Sequence, residues 1–253
     1  SVENEGVDRS DLNLPGIQDD LVQAVLQANP RTVAVLQNGS ALSITRLQDT
    51  VPAILEAWFP GEEGGHAIAD VLFGDYNPAG RLPLTFYRSV EQLPPFDDYD
   101  IRHGRTYMAE IRKGDSYLCE KEEPLYPFGY GLSYTRFSYA KLKISPTHVS
   151  QDGAVTISAE ITNTGSRPGE EVAQLYIRDS QAAVSRPVKR LKGFRRLMLQ
   201  PGESRRVTFT LPAAELAYCD KSKKAFVVEP GRFEIQIGSS SADIRLTGTL
   251  QVD

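Results

Sequence analysis

The apolar positions in the first third of the chain follow two spacings. Between Gln18 and Pro30 they recur with helical spacing, which predicts a helix whose apolar face is formed by Leu21, Val22, Val25 and Leu26. The runs 32–36 and 53–58 are continuously apolar, which is typical of buried strands in a parallel sheet. From Glu62 to Phe73 the spacing is helical again, and Gly74 is a natural C-cap. This alternation of strand, turn and helix predicts an α/β layered domain with a mostly parallel sheet.

The stretch 77–134 has a different character, because it is rich in Pro, Gly and Tyr and has no sustained period. We expect one strand in it, near Leu82 to Phe86, inside a long connection. Long connections in compact proteins are usually functional or wrapped over a neighbouring domain. The Gly-rich segment 127–131 is therefore expected to dock one domain on the other.

After Phe137 the period becomes two, with inward apolar positions at 155–161, 207–211 and 233–237. Turn pairs such as Pro201-Gly202 and Pro230-Gly231 separate these runs. Short alternating strands between Gly/Pro turns predict an antiparallel β-sandwich. The predicted organisation is an α/β domain over 1–134, which includes the long connection, and a β-sandwich over 135–253.

The composition and charge of the chain argue against some classes of partner. The chain of 253 residues has 40% hydrophobic and 24% charged residues, which is typical of a globular protein. The formal net charge of −5 and the lack of a basic stripe argue against a nucleic-acid partner. No apolar run approaches the roughly 18–20 residues that a membrane span requires, so no membrane partner is expected.

Cofactor chemistry finds little support in the sequence. Three scattered histidines and two cysteines, Cys119 and Cys219, do not have metal-ligand spacing. The two cysteines lie far apart in the chain; they could pair, but two unpaired thiols are the more ordinary interpretation. The pair Gly64-Gly65 lacks the spacing of a phosphate-binding loop. We therefore expect no cofactor and no metal.

Acidic residues crowd the first positions, at Glu3, Glu5, Asp8 and Asp11. Such a cluster is usually a solvated face, but crowded carboxylates also suit proton-transfer chemistry. The opening segment SVENEGVDRS has neither an initiator Met nor a signal peptide, so we expect the chain to be a piece of a longer protein.

Other candidate positions have competing interpretations. The turn Asn38-Gly39-Ser40 follows a predicted strand, at the edge where open α/β sheets place ligands, although it could be only a tight turn. Glu62 and Glu63 open the predicted helix, where acidic residues are expected because of the helix dipole. Several aromatic residues could form a sugar-stacking wall or could pack between domains, and these are Trp58, Phe96, Tyr99, Tyr107, Tyr126 and Tyr130. For Tyr126 and Tyr130 packing is the favoured interpretation.

Five ordered segments resemble glycoside hydrolase family 3, the β-glucosidases, β-xylosidases and related exo-acting enzymes. They are EGVDR with LPG (5–16), FPGEEGG with ADVLFG (59–74), NPAGRLP (77–83), GRTY with LYPFGYGLSY (104–134), and a stretch from Phe137 similar to the family's fibronectin-III-like module. The resemblance covers essentially the whole chain. It lacks the family's N-terminal (β/α)8 barrel, which carries the nucleophilic aspartate.

The resemblance implies a retaining β-glycosidase in which this chain supplies one of two carboxylates. It assigns the acid/base role to Glu5, with Glu3 as the alternative. The residue types of Asp8 and Arg9 favour an ion pair or hydrogen-bonding brace over reacting groups. The implied substrates are oligosaccharides or aryl β-glycosides with terminal glucosyl or xylosyl residues. The implied partner is the barrel, in the same parent protein or in trans, and a secreted or periplasmic location is favoured.

Two alternatives stay open. The loop-rich middle is compatible with a homodimer. The sandwich and the aromatic loops are also compatible with a non-catalytic carbohydrate- or protein-interaction module, which would need no barrel.

Overall fold

The computed structural model describes residues 9–93, 95, 97–98, 123–179, 187–220 and 222–253. Its first part is an α/β layer, and its second part is a β-sandwich. The elements of the α/β layer are α1 (Gln18–Ala28), β1 (Val33–Leu36), α2 (Thr45–Thr50), β2 (Ala53–Glu56) and α3 (Gly64–Phe73). In the part of the chain that the structure describes, no helix has the length and apolar character needed to cross a membrane.

Strands β1 and β2 pair in parallel, from Val33 opposite Ala53 to Leu36 opposite Glu56. The parallel arrangement was expected from the two apolar runs, but their predicted burial is wrong for part of β1. Val33 and Val35 are 46% and 36% exposed. Among the described residues the sheet has only these two strands, so nothing covers that face of β1.

Helix α3 ends as predicted, at Gly74, which has a left-handed φ of +83°. It begins at Gly64, with Glu63 as its N-cap, two residues later than the helical spacing indicates. Helix α2 was not predicted. This helix has only six residues, of which Leu47 alone is buried, so it is too short for a helical period to be recognised in the sequence.

The predicted strand at Leu82–Phe86 is wrong. Instead, the chain makes one isolated antiparallel bridge between Phe86 and Tyr126. Four residues earlier, Leu82 exchanges backbone hydrogen bonds with Gly129 and Tyr130, each 2.8 Å long. Between these two points Pro83 has no N–H to donate, so a continuous ladder does not form.

The sandwich consists of two sheets packed face to face. Its strands are β3 (Phe137–Ser145), β4 (His148–Val149), β5 (Ala154–Asn163), β6 (Gly169–Asp179), β7 (Arg190–Leu199), β8 (Ser204–Pro212), β9 (Tyr218–Asp220), β10 (Ala225–Val227), β11 (Gly231–Gly238) and β12 (Ile244–Val252). One sheet has the order β4-β12-β11-β6-β7 and the other β3-β5-β8, while β9 and β10 form a separate hairpin. The alternating positions that predicted these strands fill the core between the sheets, as with Ile157, Phe209 and Ile235.

The Gly-rich segment docks the α/β layer on the sandwich, as predicted. Ser241 donates a backbone hydrogen bond of 2.9 Å to the carbonyl of Phe128. The Gln174 amide of β6 donates to the Gly129 carbonyl at 3.1 Å. Gly129 has a φ of +81°, and a Cβ there would lie 2.2 Å from the Gln174 side-chain oxygen, so the close approach requires glycine. These contacts fix the orientation of the loop that lines the candidate site.

Candidate functional site

Polar side chains gather at the carboxyl edge of the β1–β2 pair. Asn38, buried to 5% exposure, donates from Nδ2 to the Ser40 carbonyl at 2.8 Å and to Glu56 Oε2 at 3.4 Å. The other carboxylate oxygen of Glu56 accepts the Trp58 N–H at 3.0 Å. Trp58 has a left-handed φ of +51°, which is uncommon for a bulky residue. Asn38 and Glu56 therefore hold both strand ends in one fixed turn geometry.

The Asn38 side-chain oxygen is buried and has no hydrogen-bond partner among the described residues. Burying such an acceptor without a partner costs about 1–3 kcal/mol, so native structures rarely leave one. The turn Asn38-Gly39-Ser40 therefore places a buried polar group at the carboxyl edge of the sheet, the edge at which open α/β sheets bind ligands.

The segment that follows the acidic start of the chain is tied to this same edge. The Leu12 carbonyl accepts the Ser43 N–H at 2.7 Å, immediately beyond the 38–40 turn. Arg9 donates from Nη2 to the Asn13 carbonyl at 2.5 Å, and Asp11 accepts the Asn13 N–H at 2.8 Å. The predicted acid/base Glu5, its alternative Glu3 and the proposed brace residue Asp8 lie outside the described residues.

The aromatic residues divide into two groups. Trp58, Phe86, Tyr126 and Tyr130 form a continuous row, with ring centroids 6.0, 6.1 and 5.1 Å apart from one ring to the next. The row joins the core of the α/β layer, so packing is the role that the structure supports for Tyr126. Burial raises the pKa of Tyr126 and of Tyr130. Phe96, Tyr99 and Tyr107 lie outside the described residues.

The acidic pair before α3 behaves as a structural feature. Glu63 and His66 interact at 2.6 Å on a fully solvated surface, with side chains 78% and 86% exposed. Glu62 is also exposed. Likewise Cys219 is exposed, whereas Cys119 lies outside the described residues, and their pairing stays open.

A second polar cluster crosses the junction between the two domains. Arg81, from the connecting loop, donates to Glu171 of β6 at 2.9 Å, and their side chains are only 9% and 3% exposed. The other oxygen of Glu171 accepts the hydroxyl of Tyr139, from β3, at 2.6 Å. Burial, and then the neighbouring Glu171 carboxylate, raise the pKa of Tyr139 far above its ordinary value, so its hydroxyl stays a donor.

The outer part of this cluster is a bidentate ion pair. Arg245 donates to both oxygens of Asp243 at 2.5 and 2.6 Å and lies over the Tyr139 ring, 5.8 Å from its centroid. The hydrogen bonds from Arg245, with a further one from the Ser239 hydroxyl at 2.6 Å, hold the pKa of Asp243 below its usual range. The same pairing raises the pKa of Arg245.

These groups line an open crevice of about 430 Å³ between the connecting loop and the sandwich. The crevice wall includes the side chains of Arg81, Arg136, Tyr130, Phe137 and Tyr139. A crevice of this volume at a domain junction, with a few convergent polar groups, falls within the range of small-molecule sites.

Comparison with known proteins decides the family. Residues 1–134 match the glycosyl hydrolase family 3 C-terminal domain, and residues 171–241 match the fibronectin type III-like domain. The chain belongs to glycoside hydrolase family 3. Its two parts therefore correspond to the C-terminal domain and the appended fibronectin-like module of this family.

Relatives in this family are named as β-glucosidases and β-xylosidases. The chain is 43% identical to a periplasmic β-glucosidase of Salmonella typhimurium, over 96% of the chain and 32% of that protein. It is also 43% identical to a β-xylosidase of Formosa agariphila, over 98% of the chain and 34% of that protein. A solved β-glucosidase of Bifidobacterium adolescentis superposes with a TM-score of 0.86 at 31% identity, over 99% of this chain and 37% of that one. The chain thus spans about a third of the length of its curated relatives.

Sequence reasoning missed the junction cluster, although one signal was present. Glu171 occupies the same face of β6 as Ala173, Leu175 and Ile177, all of them buried. A charged residue in register with a buried apolar face needs a partner of opposite charge. That partner, Arg81, lies 90 residues earlier in the chain, so it could not be identified from sequence spacing.

Proposed function

We propose that this chain is the C-terminal part of a retaining, exo-acting β-glycosidase that hydrolyses terminal β-D-glucosyl or β-D-xylosyl residues. Glu5 is the acid/base, and the nucleophile lies on a barrel domain outside this chain. The observation that carries the proposal is family membership together with coverage. Almost all of the chain matches enzymes named β-glucosidase and β-xylosidase, yet it spans only about a third of them.

The mechanism requires two carboxyl groups about 5–5.5 Å apart. One attacks the anomeric carbon, while the other protonates the leaving glycosidic oxygen. In the second step of the reaction, the proton donor becomes the base that deprotonates the water attacking the glycosyl-enzyme. The resemblance of the segment around Glu5 to the family supports the proton-transfer role for Glu5 in both steps, with the nucleophilic carboxylate on the barrel.

The anchoring of the following segment supports this assignment. Glu5 lies four positions before Arg9 in the chain, and four residues of chain reach at most about 14 Å. The Arg9–Asn13 and Leu12–Ser43 hydrogen bonds hold the residues that follow the acidic segment at the carboxyl edge of the sheet. Open α/β sheets bind ligands at this edge.

The exposed apolar surface of the α/β layer supports the need for a further domain. Helix α1 has no buried residue, and Leu21 on its apolar face is 58% exposed. Phe73 at the end of α3 is 85% exposed, and Val33 of β1 is 46% exposed. Large apolar side chains exposed on this layer are compatible with a surface that another part of the protein covers.

A complementation assay tests the proposal. The purified chain and the separately produced remainder of the parent protein are assayed on aryl β-glucosides and β-xylosides, each alone and mixed. We expect no turnover by the chain alone and turnover by the mixture. Turnover by the chain alone would overturn the division of the two carboxylates. Failure of the mixture, together with saturable sugar binding by the chain, would favour the non-catalytic module.

A further inference from the structure

The crevice at the domain junction has more hydrogen-bond donors than its own acceptors use. Arg81 is nine-tenths buried, and its Nε has no hydrogen-bond partner among the described residues. Neither the exposed Arg136 guanidinium nor the Tyr130 hydroxyl makes a hydrogen bond or ion pair with the described part of the chain. Arg245 uses Nε and Nη2 on Asp243, which leaves Nη1 available.

The two carboxylates of the crevice already accept hydrogen bonds within the chain. Both oxygens of Glu171 accept hydrogen bonds, from Tyr139 and from Arg81. Both oxygens of Asp243 accept hydrogen bonds from Arg245, and one of them also accepts the Ser239 hydroxyl. Three arginines against two carboxylates leave the lining with a surplus of one positive charge. A ligand that complements this wall must be rich in acceptors and negatively charged.

The volume of the crevice and the apolar part of its lining indicate the size of the ligand and the presence of a ring. A volume of about 430 Å³ exceeds what a bare inorganic anion fills. Tyr130 and Phe137 add aromatic surface beside the arginines. Aromatic surface next to bidentate donors suits a small ring that carries an anionic oxygen group.

We propose that the crevice between the connecting loop and the sandwich binds a small, sugar-sized ligand with a carboxylate or phosphate group, held by the guanidinium groups of Arg136 and Arg245 beside the buried Arg81. The buried pair of Arg81 and Glu171 fixes the inner end of the site, because Glu171 is held by Arg81 from the connecting loop and by Tyr139 from the sandwich. The opposite charges of Arg81 and Glu171 cancel each other. Arg136, at the exposed end, therefore supplies positive charge for an anionic ligand.

Isothermal titration of the full chain at low ionic strength tests the site with three probes of one ring size. They are glucuronate, glucose 6-phosphate and glucose. We expect saturable one-to-one binding of at least one anionic probe, and binding of glucose weaker by about tenfold or more. Tighter binding of glucuronate assigns a carboxylate ligand, and tighter binding of glucose 6-phosphate assigns a phosphate ligand.

Arg136→Glu is the informative variant, because its side chain is exposed and makes no hydrogen bond or ion pair with a described residue. It should weaken binding of the anionic probe by about tenfold or more. Arg206→Glu makes the same charge change on an exposed position of β8 and should change binding less than about twofold. Absence of saturable binding by both anions, equal binding of glucose, or equal effects of the two variants would each overturn the proposal.

Discussion

Replacing Arg81 with methionine should destabilise the junction between the two domains. The substitution keeps the apolar stem but leaves the Glu171 carboxylate, only 3% exposed, without its cation. Removing one partner of a buried ion pair costs about 3–5 kcal/mol, whereas exposed pairs contribute about 0–1 kcal/mol. Both side chains of this pair are at least nine-tenths buried and 2.9 Å apart, so the larger range applies. A loss of this size is a large part of the stability of an ordinary domain.

Urea unfolding measures the effect. The fluorescence of Trp58, the only tryptophan, reports on the α/β layer, and far-UV circular dichroism reports mainly on the sandwich. The double variant Arg81→Met/Glu171→Gln removes the buried charge while keeping an acceptor for Tyr139, so it should recover at least about half of the loss. Arg136→Met, at an exposed position of the same crevice, should change stability by less than about 0.5 kcal/mol. The reasoning is refuted if Arg81→Met costs less than about 1 kcal/mol, or if the double variant is no more stable than the single one.

Three further predictions concern the same junction. Tyr139→Phe should cost about 1.5–3 kcal/mol in urea unfolding, because it removes a hydrogen bond to a buried carboxylate; an unchanged midpoint would contradict this. The lowered pKa of Asp243 contributes stability that is present above its unfolded pKa of about 3.9 and is lost as pH falls through the folded value. Acid titration should therefore be less steep below about pH 4 in Asp243→Asn and in Arg245→Gln than in the wild type. Gly131→Ala should lower the melting temperature, because its Cβ would lie 2.2 Å from the Gly80 carbonyl, whereas Gly80→Ala, with no atom within 4 Å, should have little effect.

Sequence patterns predicted the elements whose burial has a clear period. The alternation at 155–161 and 207–211 identified β5 and β8, because one side of each strand lies in the sandwich core. The same reasoning failed for β1, where a continuous apolar run did not mean burial on both faces. The described part of the chain leaves one face of β1 open, and a sequence pattern cannot tell which layer will cover a strand.

The candidate site was harder to predict than the fold, since its residues are brought together by long-range packing. Asn38 lies at a predicted strand end, so its general position followed from the sequence. Its side-chain oxygen, which has no partner within the described ranges, and its contact with Glu56 depend on the pairing of two strands. The junction pair of Arg81 and Glu171 depends on how a loop docks on a sheet, which no local period encodes.

The most direct test of the central claim is the leaving-group dependence of a Glu5→Ala variant, in the enzyme assembled from this chain and the remainder of its parent. An acid/base residue matters most when the leaving phenol needs a proton, so hydrolysis of poor leaving groups should fall by about 10²–10⁴-fold. Dinitrophenyl glycosides should react far better, and added azide should restore turnover as a β-glycosyl azide, while Glu3→Ala should show neither effect. Equal losses across all leaving groups, or the same signature in Glu3→Ala instead, would contradict the assignment of Glu5.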